Sequence, residues 1–101
     1  TRSSAASDVY KRQYFIMTIR EFESPAEECL TILAEECAEL IQEIMKMKRK
    51  NVFYSNEFND EASDVLLMLQ IARDMELLDE PSIQKRFEVK RKKLKKWSRL
   101  L

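Results

Sequence analysis

Apolar residues recur at helical spacing along most of the chain, and capping residues divide the pattern into segments. Ser24, Pro25 and Glu27 supply an N-cap, a first-turn proline and a capping-box glutamate at the required offsets. The apolar pattern then continues until it is interrupted at residues 51–55. This combination predicts a first helix over residues 25–50.

Two further helices are expected after the interruption. Ser55 or Asn56 caps the second helix, which we expect to end near Leu78. Pro81 begins the third helix, which carries a single apolar stripe. The stripe consists of Ile83, Phe87, Leu94, Trp97 and Leu101. Three helices with short connections predict an all-α helical bundle.

The segment before the first helix divides into two parts. Residues 1–13 are polar and lack a helical stripe, so we expect a disordered or non-native leader. Residues 14–22 are more apolar, and we expect them to be ordered, with helix favoured over strand. A single helical domain is therefore expected over residues 14–101, a length that suits one compact core.

Composition supports the helical prediction and indicates the cellular compartment. The chain has no glycine and only two prolines, so turns that need positive φ are disfavoured. Cys29 and Cys37 lie roughly 12 Å apart along the first helix, too far for a disulfide, so we expect buried, reduced thiols. No apolar run approaches the roughly 20 residues of a membrane span. We expect a cytoplasmic protein without a membrane partner.

Charge is balanced overall but is separated along the chain. Residues 21–43 hold eight glutamates and no base, whereas residues 85–99 hold nine bases and one acid. The basic segment motivates an alternative, a non-enzymatic nucleic-acid-binding module, because bases neutralise phosphates and Trp97 can stack on a nucleobase. Zero net charge and the acidic half argue against it, so nucleic acid is not the expected partner.

Two acids of the first helix lie close enough to share one cation. Counting 100° per residue, Glu36 borders the apolar arc of this helix and Glu39 lies beyond it. At this i, i+3 spacing their Cβ atoms are roughly 5 to 6 Å apart. The arc itself is predicted to contain Leu30, Leu33, Cys37, Leu40, Ile41 and Ile44. For this helix alone, a solvated acidic face is the favoured explanation of the pattern.

The second helix favours a metal site. Glu61 and Asp64 align with its apolar residues, and no lysine or arginine lies near them on that stripe. The outward face instead carries Ser63, Gln70, Arg73 and Asp74. Two carboxylate pairs on adjacent helices suit Mg²⁺ or Mn²⁺, and the absence of histidine disfavours a typical zinc site. The competing structural interpretation pairs these acids with bases such as Lys46.

The two acidic segments resemble known motifs. AEECAELIQEI at 34–44 and DEASDVLLML at 60–69 are similar to the EExxE and ExxD motifs of MazG-type nucleoside triphosphate pyrophosphohydrolases. EVKRKKLKKWSRL at 88–100 is similar to the last helix of short phage and bacterial members, so the resemblance covers about 25–101. It implies cleavage of a (d)NTP to a (d)NMP and pyrophosphate, which cleanses the nucleotide pool. Phosphoribosyl-ATP and dUTP are alternative substrates of related enzymes.

The resemblance also implies roles for individual residues. Mg²⁺, or Mn²⁺ in its place, is expected on Glu36, Glu39, Glu61 and Asp64. Glu36 or Glu39 is the expected catalytic base, with Glu35 in reserve. The expected substrate-binding residues are Lys46, Lys50, Lys90, Lys93 and Trp97, and Phe53 and Tyr54 are further candidates for base stacking. Family members of this size form dimers or tetramers that complete the bundle, so we expect a homodimer or tetramer.

Overall fold

A computed structural model of the protein describes residue 22 and residues 24–101, which form three α-helices. These are α1 (Pro25–Lys50), α2 (Asn56–Asp74) and α3 (Glu80–Trp97). This part of the chain contains no β-strand, so the all-α prediction is confirmed for it. The expectations for residues 1–13, and for residues 14–22 apart from Phe22, lie outside the described residues.

The start of each helix is set by a local cap. The Ser24 side chain accepts a hydrogen bond from the Glu27 backbone N–H at 3.1 Å, and Ser55 accepts one from Phe58 at 3.0 Å. Asp79 caps α3 by accepting a hydrogen bond from the Ser82 backbone N–H. The predicted bounds of α1 are therefore confirmed, and α3 begins one residue before the expected proline.

The end of α2 was predicted one turn too late. The helix stops at Asp74, and Glu76 adopts φ 61°, in the left-handed region. The Leu77 backbone N–H then donates to the Ala72 carbonyl at 2.9 Å, which closes the helix end. Because neither glycine nor asparagine marks this position, the sequence carries no recognisable stop signal there.

Helices α1 and α2 pack as an antiparallel hairpin. Cys29, near the start of α1, is buried with Met68 and Ala72 near the end of α2. Partly buried side chains around this core are Ile32, Leu33, Ile71 and Met75. The hairpin therefore brings the middle of α1 beside the first half of α2. Cys29 and Cys37 are both free thiols, although Cys37 is only half-buried.

The packed face of α1 differs from the predicted apolar arc. Of that arc, Leu30 is 52% exposed, Ile41 60% and Ile44 36%. The buried residues of α1 are Cys29, Glu39, Glu43 and Met47. Together with Ile32 and Glu36 they follow the three- and four-residue spacing that packing against one neighbouring helix requires. The predicted face was wrong for Leu30, Ile41 and Ile44 because it followed the most apolar residues, whereas the packed face includes Glu39 and Glu43.

Helix α3 follows the hairpin without contributing a buried side chain. Phe87 and Trp97 of its apolar stripe are 49% and 79% exposed. The connection to α2 is bridged by Arg73, whose guanidinium binds both carboxylate oxygens of Glu80 at 2.6 and 2.7 Å. None of the helices in the described part of the chain is long and apolar enough to cross a bilayer.

Candidate metal centre

Three carboxylates meet between α1 and α2. Glu36 and Glu39 reach the cluster from successive turns of α1, and Glu61 reaches it from the first half of α2. One oxygen atom of each lies within 4.8 Å of the others. Glu61 is fully buried, Glu39 is 4% exposed and Glu36 is half-buried. The hairpin therefore gathers three of the four predicted metal ligands.

Asp64, the fourth predicted ligand, lies beside Glu36. It is half-buried and follows Glu61 by one turn of α2. The two acids are close enough for the Asp64 carboxylate to raise the pKa of Glu36. The four motif acids therefore lie close together in the hairpin, although the Asp64 oxygens lie outside the cluster of Glu36, Glu39 and Glu61.

Burial and neighbouring carboxylates favour the protonated forms of Glu61 and Glu36. Burial, followed by the nearby Glu39 and Glu36 carboxylates, raises the pKa of Glu61 to about 9. The pKa of Glu36 is also raised, mainly by burial and then by Asp64 and Glu39, while Glu61 opposes the shift. A divalent cation would relieve both effects, because it replaces lost hydration and offsets the repulsion between carboxylates.

The donor set fits a hard cation. Carboxylate oxygens are the ligands that Mg²⁺ and Mn²⁺ prefer, and the chain has no histidine for a typical zinc site. A magnesium ion held by a few carboxylates keeps coordination positions for water and for phosphate oxygens. The cluster is therefore suited to phosphate chemistry.

Glu35 lies next to the cluster, on the turn of α1 that carries Glu36. It is half-buried, and its Oε1 atom is buried without a hydrogen-bond partner. Burial raises the pKa of Glu35, with smaller contributions from Glu39 and Glu36. This position suits a proton acceptor beside the metal ligands, as expected for the reserve base.

Lys46 and Lys50 border a small cavity one turn beyond the cluster. The Lys46 Nζ atom lies 3.1 Å from Oε1 of Glu43, which is 4% exposed, whereas Lys50 is exposed. The cavity has a volume of about 120 Å³, and its remaining lining residues are Met47, Val52, Ser55 and Glu57. Glu43 was not among the predicted site residues, although its positions four residues after Glu39 and seven after Glu36 place it on the ligand face.

The other predicted substrate residues lie apart from the carboxylates. Lys90 and Lys93 are exposed on α3, and Lys96 Nζ lies 5.3 Å from the centre of the Trp97 ring. Within the described part of the chain, no hydrogen bond or ion pair joins these residues to the cluster. In the loop between α1 and α2, Phe53 is 90% exposed and Tyr54 64%.

Comparison with known proteins identifies no relative of this chain. No protein-family model matches the sequence, and searches of curated proteins and of solved structures find no significant match. The resemblance to MazG-type enzymes therefore depends on the two acidic motifs, on their helical context and on the meeting of their side chains.

Proposed function

We propose that the protein is a metal-dependent nucleoside triphosphate pyrophosphohydrolase that converts a (d)NTP to a (d)NMP and pyrophosphate. The observation that carries this proposal is the meeting of Glu36, Glu39 and Glu61 within 4.8 Å in the interior of the hairpin. Buried acids that repel one another destabilise a fold unless a cation or protons compensate. Their presence on the packed face therefore favours a functional explanation.

The motif carboxylates divide the work of such a reaction. Glu36, Glu39, Glu61 and Asp64 hold Mg²⁺ or Mn²⁺, which supplies positive charge to the phosphate oxygens when bound. Glu36 or Glu39 accepts the proton of the attacking water, with Glu35 as the reserve base. Lys46 and Lys50 bind the polyphosphate beside the cluster, and Lys90, Lys93 and Trp97 of α3 are the further substrate-binding residues. Cleansing of the cytoplasmic nucleotide pool is the role that fits this activity.

A pyrophosphate-release assay across all NTPs and dNTPs tests the proposal. Release should require Mg²⁺, stop in EDTA and be lost in Glu61→Gln. Asp74→Asn is the matched control, because Asp74 is an exposed acid on the same helix. Absence of release from every nucleotide, or undiminished release by Glu61→Gln, would overturn the assignment.

A homodimer or tetramer is the second part of the proposal. The apolar stripe of α1 that faces away from α2 continues, at the hairpin turn, into an open apolar cavity of about 330 Å³. Ile44 belongs to both features, and Phe53 and Phe58 line the cavity. Two hairpins that pack through these stripes would form a four-helix arrangement and remove the apolar surface from water.

The alternative is a non-enzymatic module that binds nucleic acid, or serves a structural role, through α3. The observation in its favour is that every base in residues 85–99 is exposed, together with Trp97. Such a module should bind RNA or DNA with strong salt dependence. Binding that persists unchanged in Glu61→Gln, combined with no nucleotide hydrolysis, would favour this alternative.

A further inference from the structure

Lys46 is held differently from the other bases of the described chain. Its side chain is 21% exposed, whereas every other lysine and arginine there is exposed. Glu43 holds it through a contact of 3.1 Å between Oε1 and the ammonium nitrogen. A long, flexible side chain loses rotamer freedom when it is fixed in this way. Some other interaction or function must therefore offset the loss of side-chain entropy at Lys46.

Stabilisation of the fold by the Glu43–Lys46 ion pair does not explain why Lys46 is held in place. Glu43 lies on the packed face of α1, between Glu39 and Met47, and its side chain is only 5% exposed. An apolar side chain at this position would pack against α2 without needing a partner. Replacing a buried ion pair by apolar residues is often neutral or stabilising. A function in the neighbouring site therefore explains the pair better than stability does.

The pair borders the small cavity next to the carboxylate cluster. Glu43 follows Glu39 by four residues, which is roughly 6 Å along the helix axis. Glu43, Lys46 and Ser55 are among the residues that line this cavity of about 120 Å³. A phosphate chain that begins at the cluster and runs along α1 would enter this cavity.

We propose that Glu43 is a positioning residue, which holds the Lys46 ammonium where it binds the pyrophosphate part of the substrate. This inference rests on the proposed function, in which the bond between the α- and β-phosphates is cleaved. The bridging oxygen leaves with the electron pair of that bond, so negative charge grows on the departing pyrophosphate. A fixed ammonium stabilises that charge without reorganising during the reaction.

Binding of inorganic pyrophosphate tests the inference separately from turnover. Isothermal titration in Mg²⁺ would compare wild type with Lys46→Met and Glu43→Gln, and with Lys48→Met as an exposed lysine control on the same turn. Lys46→Met should weaken binding about tenfold, because a charge-assisted contact is lost. Glu43→Gln should weaken it several-fold, and Lys48→Met should bind like wild type.

The sign of the Glu43→Gln effect is decisive. Removing a negative charge near a phosphate strengthens binding if Glu43 acts only through its charge, whereas loss of positioning weakens it. Tighter or unchanged binding would overturn the inference. Glu43→Met provides a second variant that suits the packed face, with retained helical circular dichroism as the folding check. The double variant Glu43→Gln/Lys46→Met should bind no more weakly than Lys46→Met alone.

The two proposals fail in different ways. If wild type binds pyrophosphate through Lys46 and Glu43 but hydrolyses no nucleotide, the proposed function is wrong, and only the positioning of Lys46 for pyrophosphate binding stands. If wild type releases pyrophosphate from nucleotides but the Glu43 and Lys46 variants bind pyrophosphate normally, the inference is wrong and the function stands. Failure of wild type to bind pyrophosphate also overturns the inference.

Discussion

The Glu39 and Glu61 carboxylates face each other across the packing surface of α1 and α2, with one oxygen of each within 4.8 Å. Both residues are almost completely removed from solvent, at 4% and 0% exposed. A helix hairpin normally places apolar side chains at such positions. The acidic cluster at the centre of the best-packed region therefore destabilises the folded protein. Several measurable properties should depend on this cluster.

Divalent cations should stabilise the protein. A ligand that binds only the folded state adds about 2.7 kcal/mol to the free energy of unfolding at 100 times its dissociation constant. Each kcal/mol corresponds to a rise in Tm of roughly 4 to 8 °C for a domain of this size. Thermal unfolding with Mg²⁺, Mn²⁺ or NaCl at matched ionic strength checks this. The metal site is contradicted if only ionic strength matters.

In EDTA, stability should fall as the pH rises. The unfolded chain releases the Glu61 proton near the ordinary pKa of 4.5, whereas the folded protein retains it up to about 9. Between these values the folded state binds more protons, so the free energy of unfolding decreases with increasing pH. Urea unfolding across this pH range measures the slope.

Glu61→Gln serves as the control for this pH dependence. The amide does not ionise, so the slope of stability against pH should become flatter in EDTA. Stability that rises with pH between 4.5 and 9 in the wild-type protein would show that the folded state does not retain the Glu61 proton.

Glu61→Gln and Asp64→Asn should each reduce kcat for nucleotide hydrolysis by about 100-fold or more, because each removes a metal ligand. The helical circular dichroism signal should be preserved, since an amide fits the same volume. Asp74→Asn should leave kcat unchanged, because Asp74 lies on the exposed face of α2. Full activity in both ligand variants would refute the assignment.

Ile41→Glu should weaken self-association. Ile41 is 60% exposed on the stripe of α1 that faces away from α2, so a charge there would be desolvated in the proposed oligomer interface. Sedimentation or light scattering at micromolar concentration would compare it with Gln70→Glu on the exposed face of α2. A wild-type protein that is monomeric under these conditions contradicts the proposal.

Glu76→Gly should stabilise the folded protein. Glu76 has φ 61° at the end of α2, a conformation that disfavours side chains with a Cβ atom. Glycine relieves this strain, and we expect a net gain of about 0.5 to 1 kcal/mol in the free energy of unfolding. Asn51, with φ 54° at the end of α1, is the matched position. Asn51→Gly should gain less, because asparagine tolerates the left-handed region.

Features that depend only on residues close together in the chain could be predicted from the sequence. Ser24 and Ser55 cap their helices through hydrogen bonds three residues along the chain, so the starts of α1 and α2 were predictable. The inward phase of Glu61 was also predictable, because Glu61 aligns at helical spacing with Met68 and Ala72, which are buried. Both are properties of a single helix.

The packed face of α1 and the surroundings of each acid depend on tertiary contacts, so the sequence pattern did not predict them. Hydrophobicity favoured the face of α1 that carries Ile41, whereas the face that carries Cys29 and Met47 is the buried one. That choice buries Glu39 and Glu43 and creates both the carboxylate cluster and the Lys46 contact. The rotation of a helix depends on contacts with a partner distant in sequence, which the periodicity of one helix does not specify.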